Sequence, residues 1–522
     1  MRKKTRGVIA AGHQKTAEAG QIMFELGGNA FDAAIAAILA SFVVESTLTS
    51  AGGGGFLLAH TEEQENILFD FFCQTPRQKK PVQEIDFYGI KVNFGVAIQD
   101  FHIGKGSIAV PGNVVGVFEI HQQLGKLPFD VVAEPAIDYA KNGFIIQKFN
   151  QYCQELLSPI LLETSESRKI YAPEGKLAQL GQTFYLRDFA ETLGELVQQG
   201  LSGFYQGEIG RQLVRDLSKG GYLTKEDLLS YRVIRRKPLK ISYRNYELLT
   251  NPPPSSGGVL IAFALKLLES CDLKKIEFGS EKHLQILAEI MRLTNEARQE
   301  KYDSYLYQDD IIESFLASEC LEPYQKKFQK TLNKWGSTTH ISVMDELGNA
   351  ASVTTSNGEG SSYVIPGTGI MLNNMLGEAD LNPFGFHQWQ ENQRISSMMS
   401  PTIVLQEGKP KIVLGSGGSN RIRTAIFQVI SNLIDFHLPM EAAVNNSRVH
   451  WENYIYNLEP APGRAAMIKH LKLPEETSFV LWEQKNMFFG GVHTVGQRKD
   501  GTLEGSGDSR REGVALGATG ES

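Results

Sequence analysis

Two hydroxyl residues, Thr338 and Ser356, are brought together by the pattern of the stretch between them. Thr339, Ile341 and Val343 alternate with His340 and Ser342, the period of a half-buried strand. Gly348-Asn349 is a turn signal, and Ala350 to Thr355 is a second short run rich in β-branched residues. A hairpin with Glu346 to Asn349 as its loop sets Asp345 opposite Ala350. Ser356 and Asn357 then return beside Thr339 and Thr338. A hydroxyl of this kind is a weak nucleophile unless a base takes its proton. The plainer reading is a polar hairpin end, where Thr and Ser are common.

Further along, Gly415-Ser416-Gly417-Gly418-Ser419-Asn420-Arg421-Ile422 is a tight turn before a helix expected over Thr424 to Ile434. Backbone N–H groups at such a turn can bind an anion, because helix-start donors lack intrahelical partners. Ser396-Ser397 leads into a strand. The glycine run 52–55 lacks the Lys-Ser/Thr of a phosphate loop and reads as close backbone packing at a strand entry. Eleven histidines show no His-Glu-x-x-His spacing, so no metal and no cofactor is expected, and His340 reads as structural.

The elements that must carry these residues are legible in outline. Asn29 is an N-cap with Asp32 three residues on, opening a buried helix whose apolar run spans Ala33 to Val44. Ile67 to Phe72 reads as a strand, and Val110-Pro111-Gly112 starts a helix to Leu124. Residues 188–230 read as helices broken at Gly200 and Gly220-Gly221, with a capping Thr224. Pro252-Pro253-Pro254-Ser255-Ser256-Gly257-Gly258 opens another long helix, and Lys282 to Tyr302 is helical by period. Residues 310–337 carry no clear motif and are expected to be exposed.

Composition bounds the class. At 522 residues, 42% hydrophobic and 21% charged, the chain is globular in type. A net charge of −7 gives no electrostatic footprint for nucleic acid, and no run is long enough to span a membrane. Cys73, Cys153, Cys271 and Cys320 show no paired spacing, which together with the short apolar start suggests a cytoplasmic protein.

The order Thr338-Thr339-His340-Ile341-Ser342-Val343, Gly348-Asn349-Ala350, Gly369 to Asn374, the serine pair and the glycine turn resembles the gamma-glutamyltranspeptidases, which are N-terminal-nucleophile hydrolases. Gly27-Gly28-Asn29-Ala30, the triple proline and Asp508-Ser509-Arg510-Arg511 extend the resemblance over nearly the whole chain. It implies an α+β fold, a four-layer αββα sandwich. It implies self-cleavage between Ser337 and Thr338 into a large subunit, 1–337, and a small subunit, 338–522, intertwined in one fold. A free α-amine, with a pKa of about 7.7–8.0, can then serve as the base for its own hydroxyl.

The resemblance further implies that Thr338 is nucleophile and base, with the Ser356 hydroxyl hydrogen-bonded to it. Ser396 and Ser397 would contact the donor carboxylate, and the N–H groups of Gly418 and Ser419 would form an oxyanion hole. The implied partners are a small γ-glutamyl compound and a water or amine acceptor. An acylase for another amide, and an unprocessed scaffold, are the alternatives. The chain also departs from the pattern. The family's carboxylate-binding Arg falls on Phe72, and its amine-binding Gln or Glu and Asp fall on Met375 and Glu378. Arg77 and Arg394 are the nearest candidates in sequence to replace the missing Arg fork.

Overall fold

The computed structural model describes residues 4–93, 98–324, 338–474 and 476–518. Ser337, and with it the expected cleavage point, lies outside the described residues, as does the rest of the segment from 325.

Two antiparallel sheets form the centre. The first runs, in spatial order, Val514–Ala518, Gly7–Ala11, Thr339–Asp345, Ala350–Ser356, Gly54–His60, Asn66–Phe71 and Ile234–Arg236. The second runs Leu503–Ser506, Gly491–Gln497, Lys409–Gly417, Thr402–Gln406, Tyr246–Thr250 and Leu239–Tyr243. The sheets face each other, with strands 339–345 and 350–356 packed on strand 409–417. Helices Gln14–Glu25 and Ala30–Val44 cover the outer face of the first sheet, and Gly257–Glu269 and Arg421–Ile434 that of the second. This is the αββα sandwich, and each sheet contains strands from both sides of position 338.

Burial follows the layers. Ile341 and Val343 join the core with helix 30–44, all fifteen of whose residues are buried. His340 and Ser342 face the other sheet instead of solvent, so the strand is buried on both sides and not half-buried as its alternation suggested. The polar residues between the sheets are satisfied there. His340 bonds Thr354 Oγ1 at 2.8 Å and Ser342 Oγ at 2.9 Å, and Ser352 donates to Leu414 O at 2.9 Å. Burial holds the His340 imidazole well below its ordinary pKa, so the ring is neutral and works as a bridge.

Most expected elements stand where their caps placed them. Asn29 and Asp32 form a capping box, as do Thr224 and Asp227. The glycine run packs closely as read: a side chain at Gly53 would meet Ser356 O at 2.2 Å. The exposure expected for 310–337 holds over 311–324 for Glu313, Ser314, Ser318, Glu319, Glu322 and Pro323, but not throughout. Ile311, Phe315 and Tyr324 on two short helices are buried against the second core.

Candidate active site

Thr338 immediately precedes strand 339–345, at the hairpin's open end. Thr339 pairs with Thr355, so the register sets Ser356, and not Asn357, opposite Thr338. The expected pairing is one residue off because Asp345 closes the turn. Its carboxylate accepts from Leu347 N at 2.9 Å and from Asn349 N and Ala30 N at 3.0 Å, so Met344 becomes the partner of Ala350. The correction brings the two hydroxyl residues of interest onto one rung.

Thr338 is fixed from three sides. Arg511 Nη1 donates to Thr338 O at 2.6 Å. The same carbonyl lies so close to Gly417 that a side chain there would meet it at 2.0 Å. Next in chain, Thr339 Oγ1 donates to Glu45 Oε2 at 2.5 Å, and Thr16 Oγ1 donates to Glu45 Oε1 at 2.7 Å. Burial pushes the Glu45 carboxyl up, while these two hydrogen bonds and the Arg511 charge pull it down. Glu45 stands at the end of helix 30–44, so the buried helix is also a positioning device.

The turn after strand 409–417 is left-handed at two successive residues, Gly418 with φ +123° and Ser419 with φ +49°. Among the described residues, neither N–H donates to another group of the chain. Two successive backbone donors left open at such a turn are able to receive an anion. Only the N–H of Ser419 was expected to matter, but its hydroxyl is used as well, donating to Asp380 Oδ2. That bond ties the turn to the segment 379–381.

A cavity of about 40 Å³ opens in front of Thr338. Its walls include Ser356, Gly358, Glu359, Glu378, Asp380, Ser397 and Ser419, with Phe72, Met375, Leu381, Met398, Met399 and Ile422 as the apolar part. Thr338, Ser356, Ser419, Ser397 and Glu378 are thus brought to one space, with Gly418 adjoining Ser419. Ser396 is buried beside it, its hydroxyl 3.4 Å from that of Ser256, and is not part of the wall.

The two arginines do not reach this space. Arg77 is exposed, its backbone N–H on Asp227 and its Nε on Ser230 Oγ at 2.7 Å. Arg394 is buried behind Phe72 and fully engaged. It donates to Phe72 O, to Tyr231 OH at 2.6 Å and to Arg232 O at 2.8 Å, and its Nε lies 3.3 Å from Asp70. It holds the backbone of the Asp70-Phe71-Phe72 segment rather than presenting a fork to a ligand.

Glu45, Arg511, Glu359 and Asp380 are site residues that sequence reasoning passed over. Arg511 lay within a motif already singled out, and Glu45 ends an otherwise apolar run. Glu359 and Asp380 gave no signal.

A threonine at a strand end, a hydroxyl on the facing rung and a glycine turn between two stacked sheets define an N-terminal-nucleophile hydrolase. The comparisons agree. The sequence profile described as gamma-glutamyltranspeptidase matches residues 16–518. The chain is 31% identical over 546 residues to a glutathione hydrolase proenzyme of Pseudomonas aeruginosa, covering 98% of this chain and 94% of that one. It is 29% identical over 537 residues to an acylase ACY 1 proenzyme of Pseudomonas sp. strain SE83, covering 99% and 94%. The crystal structure of a cephalosporin acylase from Bacillus halodurans superposes with a TM-score of 0.85 over 98% of this chain and 96% of that one, at 24% identity. This chain belongs to the gamma-glutamyltranspeptidase family.

Proposed function

We propose that this protein is a self-processing acyl-transfer enzyme. It moves a γ-glutamyl-like acyl group from an amide to water or an amine, through an ester on Thr338. The observation that carries the reading is that Thr338 lines a cavity opposite Ser356 and beside the left-handed turn at Gly418 and Ser419. Cleavage after Ser337 frees the Thr338 α-amine. That amine takes the hydroxyl proton as Oγ attacks the amide carbonyl and returns it to the departing amine. The N–H groups of Gly418 and Ser419 hold the oxyanion. Water or an amine then cleaves the ester.

The donor differs from a free γ-glutamyl group. Among the described residues no Arg, Lys or His lines the cavity, and Phe72, the position to which the family resemblance assigns a carboxylate-binding Arg, is part of its wall. Phe72 stacks on Phe56 at 5.3 Å, a wall built for apolar contact. A lost charged contact costs about 1.5–3 kcal/mol, so losing two weakens such donors by roughly two orders of magnitude or more. The apolar wall therefore favours a second, narrower reading, an acylase for an amide lacking the free α-carboxylate.

The test is kcat/KM for glutathione beside an analogue blocked at the glutamyl α-carboxylate. The blocked analogue is expected to be the better donor, and a strong preference for the free acid sinks the specificity reading. One band on a gel, with no ester on Thr338 from any donor, leaves the scaffold reading instead. With its four cysteines free, we place the protein in the cytoplasm, which cell fractionation checks.

A further inference from the structure

The walls of the Thr338 cavity have a charge pattern that selects the far end of the acyl group. Three carboxylates line it, Glu359, Glu378 and Asp380. Glu359 is 2% exposed and Glu378 6%. Placing acids where solvent is excluded is costly unless a cation or donor meets them. Asp380 is already engaged by Ser419, and the charges of Arg298 and Arg421 act on it. Glu378 is not fully engaged: its Oε1 is buried and has no hydrogen-bond partner among the described residues.

Glu359 stands in the same wall as Glu378, close enough to act on its carboxyl. Burial, with the Asp380 charge beside it, raises the Glu378 carboxyl to about 7, against the pull of Glu359 and Asn374. An incoming cation would favour the ionised form of Glu378 and pair with both carboxylates. An incoming carboxylate would meet three acids and the Phe72 ring. The cavity is therefore matched to a positive group and mismatched to a negative one.

We propose that the acyl group accepted by Thr338 ends in a primary ammonium and carries no carboxylate, an ω-aminoacyl amide of which 4-aminobutyryl is the simplest member. Glu378 and Glu359 receive the ammonium, and Phe72 and Met375 cover the carbon that bears a carboxylate in a glutamyl group. This rests on the ester chemistry proposed above for Thr338. The bonds balance without any co-reactant. Thr338 Oγ forms the ester as the amide C–N bond breaks, the departing amine takes the hydroxyl proton, and water releases 4-aminobutyrate.

The experiment uses the purified, processed enzyme and three p-nitroanilides with one leaving group: 4-aminobutyryl, γ-glutamyl and pentanoyl. The expected kcat/KM for the 4-aminobutyryl donor exceeds each of the others at least tenfold, and Glu378→Gln narrows its lead over pentanoyl. A γ-glutamyl or pentanoyl donor that does as well overturns the proposal while leaving the Thr338 chemistry intact. If no donor is turned over, the ester chemistry fails, and thermal-shift binding on Thr338→Ala decides the subsite separately. Stabilisation by 4-aminobutyrate exceeding that by glutamate and pentanoate supports the ammonium site, and equal or smaller stabilisation overturns it.

Discussion

Replacing Arg511 separates the positioning of the nucleophile from the stability of the fold. Arg511 is 2% exposed, and its Nη1 donates to Thr338 O at 2.6 Å. Among the described residues no carboxylate lies within ion-pair distance of it, and burial lowers its pKa. Its stem passes Gly491, where a side chain would meet Arg511 Cδ at 2.2 Å, so the chain gives up a Cβ to let it through. In Arg511→Met the packed stem remains and the bond to Thr338 is lost. A hydrogen bond from a charged donor contributes about 1.5–3 kcal/mol, and if all of that is spent on aligning Thr338, kcat falls roughly 10- to 150-fold. Stability moves the other way or not at all, because an apolar side chain replacing a weakly compensated buried charge is often neutral or stabilising. The assay is kcat on a chromogenic amide and the rate of precursor cleavage on gels, beside Tm by calorimetry. Both rates should drop while Tm holds within a few degrees. A variant with full activity, or one whose activity falls only in step with a collapsed Tm, refutes the reasoning.

Asp345→Ala should cost about 2 kcal/mol or more of stability in denaturant titration, because it leaves the donors of Ala30, Leu347 and Asn349 short of their acceptor. Ser419→Gly should be more stable than Ser419→Ala by roughly 1 kcal/mol, since φ of +49° suits glycine and both variants lose the Asp380 bond. Both keep the oxyanion N–H, so kcat should stay within about an order of magnitude. For Glu378 the folded pKa lies above the unfolded one, so its share of stability is fully present below the unfolded value and is lost as pH rises through about 7. Affinity for an ammonium ligand runs oppositely, rising through the same window, and Glu378→Gln should flatten both profiles.

Much of the site was legible because it depends on short spacing. The hairpin, the buried helix 30–44 and the glycine turn each follow from neighbouring residues, and the family resemblance adds the loss of Arg at Phe72. The register was misjudged by one because turn length was read from Gly348-Asn349, whereas the Asp345 carboxylate decides it. Contacts across the fold left no such trace. Arg511 is 173 residues from the threonine it holds, and Glu45 is 294 from Thr339. Arg77 and Arg394 were chosen for proximity in sequence, yet backbone carbonyls and Asp70 had already claimed Arg394. The acidic wall was invisible for a similar reason, since Glu359 and Glu378 meet only when the loop at Gly358 folds against Asn374.

Intact-mass spectrometry of the freshly purified chain, incubated near neutral pH and then given a slow amide donor, tests the self-generated nucleophile most directly. The predicted result is a fragment of 522 − 337 = 185 residues beginning at Thr338, carrying the acyl adduct, with Thr338→Ala remaining one unmodified chain. A chain that never divides there, a Thr338→Ala variant that still does, or an adduct on one of the four cysteines contradicts it.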